Sequence, residues 1–299
     1  MTSLQTSAEK PISLKAEGGV ARRQAFSRMS TYILAAATML GLLVLAFLAY
    51  DIIKLGGGRL SLDFLTSYLQ RRADDSGIRA PLLGTIWIVG FVVVMSVPVG
   101  VATAIWMEEF APKNRLLWLV RVNIGNLAGV PGIVYGILGL AIFVRGPFGF
   151  GQTIIAASLT LSLMILPMIV IASSEALRQV PPSIRDGSLA LGATRWQTVW
   201  NHTLPGAIPG IMTGTILAVS RAAGEAAVLI LVGAAGIILR DPSGINDRFT
   251  ILPVQIYSWT VRPGDQFKPE AAAAIIVLMV IVLTLNAIAI VIRNKFRRD

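Results

Sequence analysis

The chain has no cysteine and one histidine, His202, in 299 residues. A disulfide framework, a thiol nucleophile, a Cys-ligated metal and a histidine cluster are thereby excluded. Charge is scarce too: only 14% of residues are Asp, Glu, Lys or Arg, against about 25% in an ordinary soluble domain. The sequence lacks a G-x-x-x-x-G-K-[ST] run, so it carries no ATP phosphate loop of its own. Acids are outnumbered by bases, 16 to 26. No long basic run with interleaved aromatics accompanies that surplus, which argues against a nucleic-acid partner. What the chain does have is apolar surface, 55% hydrophobic residues, and that balance describes a protein whose solvent is the bilayer.

Uncharged stretches long enough to span a membrane run from Ile33 to Tyr50, Ala80 to Met107, Val122 to Val144, Gly146 to Ser174, Trp196 to Leu239 with Arg221 and Glu225 inside it, and Ala271 to Ile292. This predicts an all-α membrane protein with six transmembrane helices. The first stretch follows Arg22, Arg23 and Arg28, but its apolar core exceeds the roughly 7–15 residues of a signal-peptide core and reads as an uncleaved anchor. The expected organisation is a tail at 1–30, a first span at 31–54, a loop at 55–79, a core at 80–292 and a tail at 293–299. Alternating the connections between two sides puts about 15 Lys and Arg on the side of the termini and about 10 on the other. The basic surplus is therefore an orientation signal, and it predicts cytoplasmic termini.

The connection at about 175–205 is long but not low in complexity. Pro181-Pro182 opens a short helical pattern that Gly192 closes, as a proline at the start and a glycine past the end do. A second helix, Thr194 to Thr203, is expected to lead through Leu204-Pro205 into the fifth span, whose membrane part starts near Gly206. Two short helices on the cytoplasmic face form a plausible docking element for a soluble partner; an amphipathic helix lying on the membrane is the alternative.

Arg221 and Glu225 are the charges inside a span. On a continuous helix from Gly206 to Gly236, Arg221 lies near the middle and Glu225 one turn further on the same face, about 6 Å along the axis. An unpaired charge at that depth costs roughly 2.5–3.5 kcal/mol even on lenient scales. The pair is expected to face the bundle interior or a water-filled path; an interhelical ion pair that fixes packing remains the alternative. Asn126, Gly129, Pro131, Gly132, Tyr135, Gly136 and Gly139 load the third span with residues that break a helix or let helices approach closely. Lys113, Arg115 and Arg121 read as interfacial anchors.

Particular stretches carry a family resemblance: Met107 to Arg115, Asn126 to Gly136, Leu191 to Thr198, Ser220 to Glu225 and Leu252 to Trp259. From about Ala80 onward the chain resembles the permeases of phosphate-specific ABC importers, the PstA-type subunit more than its PstC-type partner. The loop at 175–205 matches the family's E-A-A-x-x-x-G box with I-x-L-P nine residues on. Gly192 and Leu204-Pro205 fix the register, Asp186-Gly187-Ser188 occupies the E-A-A place and His202 the Ile place. Glu175-Ala176-Leu177 is out of register. Ala227, where relatives often have Pro, and the weakened box are departures.

The resemblance implies a MetI-like type I importer permease with no covalent chemistry of its own. Asp186, Gly187, Ser188, Leu189, Gly192, Leu204 and Pro205 would couple to an ATP-binding subunit dimer, which holds the ATP and Mg; no cofactor binds this chain directly. Arg221, Glu225, Asn126 and Ser220 would border the path of inorganic phosphate, with Gly129, Pro131, Gly132 and Tyr135 at helix breaks or lining the pore. A PstC-type permease and a periplasmic or lipoprotein phosphate-binding protein would complete the assembly in the inner membrane. The segment Leu252 to Trp259 could close an outer gate or meet that binding protein, or simply anchor at the interface through Tyr257 and Trp259. Competing readings are the PstC-type partner, a permease for another small anion, an ATP-independent secondary anion transporter, and a non-transporting scaffold.

Overall fold

A computed structural model describes residues 19–234 and 237–296. The remaining tail residues, among them Lys10, Lys15, Arg297 and Arg298, and the expected end of the fifth span at Gly236, lie outside the described residues. The chain divides into two units, residues 1–51 and 52–299. The described part of the first is a single helix, α1 (Gly19–Gly56), which continues into the second unit. From Tyr32 to Tyr50 its side chains are almost all apolar and carry no charge, the composition of a helix whose surroundings are lipid.

The second unit is helical throughout. After a short turn come α2 (Leu62–Thr66), α3 (Arg79–Ile105) extended by a wider turn at Trp106–Phe110, α4 (Arg115–Ala128), α5 (Gly132–Gly139) extended through Val144, and α6 (Ile154–Gln179). Then follow α7 (Pro182–Ala190), α8 (Arg195–Thr198), α9 (Leu204–Ala223), α10 (Ala227–Leu229) extended to Ala234, α11 (Leu252–Thr260) and α12 (Lys268–Phe296). Among the described residues five helices are long and apolar enough to cross a membrane, and the bent pair α4 and α5 makes a sixth. The all-α, six-span expectation is met on that count.

α6 is the most buried span, and small residues explain how its neighbours close on it. Gly210 and Gly214 of α9 lie one turn apart against Ala176 and Ala172 of α6. A Cβ on either glycine would sit 2.6 Å and 2.1 Å from those methyl groups. In a bilayer, where lipid is as apolar as leucine, such close backbone approach is the main source of helix association. Gly100 of α3 meets Ile169 of α6 in the same way, and Gly139 of α5 meets Thr160.

The break expected at Gly129 and Pro131 is present, while the fifth span, the second loop helix and the role of Trp259 need correction. The third span is broken: α4 and the α5 helix meet at 99°, because Gly129 ends α4 and Pro131, which lacks a donor N–H, cannot continue it. The fifth span is not continuous to Gly236 but stops at Ala223 and restarts at Ala227. Thr194 to Thr203 is not a separate helix, since Arg195–Ala223 forms one 29-residue helix with a wider turn at Val199–Thr203. Trp259 also departs from an anchoring role, being 1% exposed and packed between Phe64 and Phe267, while Tyr257 is exposed.

Candidate functional site at two helix breaks and a coupling loop

The breaks in the third and fifth spans lie together. α5 packs its glycine face on α10: a Cβ on Gly136 would come within 3.1 Å of Val228 Cα, and one on Gly132 within 3.5 Å of Glu225 Cδ. The Glu225 carboxyl group is thus beside the first residue of α5, where free backbone N–H groups and the helix dipole favour negative charge. Tyr135 is buried, and its hydroxyl donates to the Leu127 carbonyl at 2.9 Å, tying the two arms of the broken span together. Asn126 and Gly129 are exposed on the end of α4, and Pro131 is exposed as the N-cap of α5.

Arg221 occupies the last turn of α9, an end that favours a cation. Its Nη1 lies 3.4 Å from Met168 Sδ of α6, and the side chain is exposed. The expected Arg221–Glu225 pair on one helical face does not form, because the helix ends between them: the N–H groups of Gly224 and Glu225 donate to the carbonyls of Arg221 and Ala222 in a terminal turn. Among the described residues no carboxylate lies within ion-pair distance of Arg221. Ser220 instead donates to Asn286 Oδ1 of α12 at 2.8 Å, a bond between spans.

At the opposite end of α9, α7 begins at Pro182, as its sequence predicts, and the chain turns at Gly192 with φ +86°. Only glycine adopts that backbone without strain. Thr194 and Gln197 form a reciprocal capping box that starts the next helix. Ser188 is buried and its hydroxyl lies 2.9 Å from that of Thr198. Asp186, Gly187 and Leu189 stay exposed, as do Leu191 (91%), Trp196 and Trp200, the two indoles stacked at 5.7 Å. Leu204 and Pro205 are half-buried at the start of α9. An exposed apolar ridge beside charged residues is the kind of surface that meets a partner protein or a membrane.

The sequence reading missed the acids that fasten this loop. Glu109, on the wide turn after α3, accepts from Arg185 of α7, with Nη2 to Oε1 at 2.8 Å. The same guanidinium donates to the carbonyls of Leu177 at 2.7 Å and Val180 at 2.8 Å, at the end of α6. Glu108 accepts from Arg121 at 2.8 Å and from Arg178 at 3.1 Å, so Arg121, expected as an interfacial anchor, is an ion-pair partner. The signal available was two adjacent acids at the end of an uncharged stretch, on a side rich in arginine. At the other end of the bundle Arg79 Nε donates to Asp241 at 3.0 Å, and this guanidinium holds the Asp241 carboxyl below the usual carboxylate range, with help from the Tyr68 hydroxyl.

Residues 96–298 match the family described as binding-protein-dependent transport system inner membrane component. The chain belongs to that family. The probable ABC transporter permease protein YqgI of Bacillus subtilis is 34% identical over 267 residues, 84% of this chain and 90% of that one. The phosphate transport system permease protein PstA 1 of Mycobacterium tuberculosis is 34% identical over 218 residues, 73% of this chain and 70% of that one. PstA of Yersinia pestis is 27% identical over 279 residues, covering 92% and 93%. A chain of a bacterial ABC transporter for alginate import superposes with a TM-score of 0.61 at 18% identity, over 92% of this chain and 100% of that one. One from the MetNI methionine transporter superposes with a TM-score of 0.56 at 21% identity, over 74% and 95%. These likenesses establish the importer permease fold, and the resemblance to PstA-type permeases is borne out by relatives of that name.

Proposed function

We propose that this permease is the PstA-type subunit of an ATP-driven inorganic phosphate importer and forms half of its translocation path. The observation that carries the reading is Arg221: a cation exposed on one chain, inside a span, at a helix break, without a carboxylate partner among the described residues. Facing lipid would cost it roughly 2.5–3.5 kcal/mol or more, so the face that bears it turns to a second permease or to water. A fixed guanidinium in such a place matches the bidentate geometry of a phosphate oxyanion. The names of the PstA relatives support phosphate as that anion.

The second permease is a homologous PstC-type chain. The basic surplus on the side of the termini, about 15 Lys and Arg against about 10, supports a cytoplasmic place for the termini and α7. There an ATP-binding subunit dimer grips Leu189, Leu191, Trp196 and Trp200 and supplies the ATP and Mg. A phosphate-binding protein delivers substrate at the other side. The permease itself does no covalent chemistry. Movement of α7 reaches Arg221 by the shortest route through the chain, since Arg195–Ala223 is one helix from the loop to the break. Glu225, held at the start of α5, limits how tightly an anion binds beside Arg221.

The test is uptake in vesicles containing both permeases, the ATPase and the binding protein. Phosphate uptake that requires ATP supports the reading; uptake of sulfate with phosphate excluded assigns the permease to another anion.

A further inference from the structure

At the end of the bundle away from α7, charge is sorted. Arg59 pairs with the buried Glu270 at 2.9 Å, Arg79 with Asp241, Arg72 with Asp75 and Lys268 with Asp265. Asp247 is held by a turn, accepting from the Ser243 hydroxyl at 2.7 Å and the Gly244 N–H at 2.9 Å, and its charge also acts on Arg240 from beyond ion-pair distance. These contacts use most of the acids at this end. Arg71, Arg240, Arg248 and Arg262 have no carboxylate within ion-pair distance among the described residues.

Those four arginines are not scattered. Arg71 and Arg262 line a cavity of about 260 Å³ together with Gln255, which is 7% exposed. Arg240 and Arg248 line a second cavity of about 480 Å³ together with Gln152. Ile237 and Leu239 belong to both linings, so the cavities adjoin. Arg262 lies over the Phe267 ring at 4.3 Å, a cation–π contact that leaves its guanidinium without a carboxylate partner among the described residues. The second cavity reaches Ile230 and Gly233 of the α10 helix. Gly233 belongs to the stretch that restarts at Ala227, just past the break that follows Arg221, so this lining and the break lie on one short length of chain.

The geometry points to a vestibule for a small oxyanion at this end of the permease, in which Arg71, Arg262, Arg240 and Arg248 take the anion with help from Gln255 and Gln152 before it reaches Arg221. Clefts lined by one sign of charge concentrate counter-ions and raise their arrival rate. Unpaired arginines hold a tetrahedral oxyanion through charge-assisted hydrogen bonds, and neutral amides let it leave again. The direction of flow and the choice of phosphate as probe rest on the function proposed above; the cavity itself does not.

The test uses the assembled complex in lipid nanodiscs without the binding protein. Arginine modification by phenylglyoxal is followed at each residue by peptide mass spectrometry, in inorganic phosphate and in chloride at equal ionic strength. Phosphate is expected to slow modification of Arg71, Arg240, Arg248 and Arg262 several-fold and to leave Arg72 unchanged. Equal rates in the two salts overturn the vestibule. In vesicles with the binding protein, Arg240→Gln/Arg248→Gln should lower maximal uptake about tenfold, the scale of one lost charge-assisted contact, at an unchanged half-saturating concentration of binding protein. A raised half-saturating concentration with full maximal uptake would make the arginines a docking face for that protein and overturn the proposal. Protection by phosphate in a complex whose unaltered form imports none supports the vestibule and removes the phosphate reading. Uptake without protection does the reverse.

Discussion

Arg185 of the short helix α7 and Glu109 at the end of α3 are 76 residues apart and form a two-point ion pair, with Nη2 to Oε1 at 2.8 Å and Nε to Oε1 at 3.1 Å. Both side chains are largely buried, 22% and 10% exposed. Because Arg185 also closes the carbonyls of Leu177 and Val180, α7 is fastened to two spans at once, and it joins the third through Ser188 and Thr198. A push on α7 therefore reaches α3, α6 and α9 together.

Glu109→Gln and Arg185→Gln should each uncouple the assembled complex. Uptake per ATP hydrolysed is expected to fall about tenfold or more, the scale of a largely buried charged hydrogen bond that has lost one partner, with the subunits still co-purifying. Arg185→Lys, which keeps a donating cation beside Glu109 and the Leu177 and Val180 carbonyls but loses the planar fork, should retain part of that ratio. Equal coupling in all variants would show that the pair only packs.

Arg221→Lys keeps the charge and loses the planar fork. Phosphate uptake should fall by about tenfold or more, the cost of a lost bidentate contact, while binding-protein docking is unchanged. Arg221→Gln should abolish uptake. Normal uptake by an assembled Arg221→Gln variant would remove this residue from the path.

Gly192→Ala places a Cβ on a backbone at φ +86°. The left-handed conformation costs an L-residue about 1–2 kcal/mol, so α7 should fray and exchange its amides faster, with no loss from the spans. Hydrogen exchange by mass spectrometry reads this directly. By contrast, Gly214→Val collides with Ala172 in the membrane core, and overpacking of about 1–3 kcal/mol should lower thermal stability of the purified chain.

The Asp241 carboxyl is more acidic in the folded chain than when unfolded, chiefly through the Arg79 guanidinium. Its contribution is thus complete above the unfolded value and is lost as pH falls through the folded one. The loop at 237–250 should keep its amide protection through neutral and mildly acidic pH and lose it only in strong acid. The Ser243 hydroxyl and N–H hold the Asp247 carboxyl below the usual carboxylate range as well, so Asp241→Asn should lower protection at neutral pH and shrink that acid step without removing it; an unchanged step would show that Asp247 alone controls the loop.

The boundaries of α7 were legible because Pro182 and Gly192 mark them chemically. The break near Pro131 was legible as a break, but its 99° bend was not, since the angle is set by packing of α5 on α10. The end of α9 was hidden because Gly224 and alanines read the same in a continuous apolar helix as at its end. Glu109 and Arg185 could not be paired from spacing, because their contact is made by the tertiary fold alone.

The measurement that bears most directly on this account is ATP hydrolysis by the complete complex in lipid, with binding protein present and the anion varied. Phosphate should stimulate hydrolysis and drive uptake, sulfate should do neither, and Arg221→Gln should abolish the phosphate-dependent uptake. Stimulation by sulfate but not phosphate, or phosphate uptake that persists without Arg221, would contradict it.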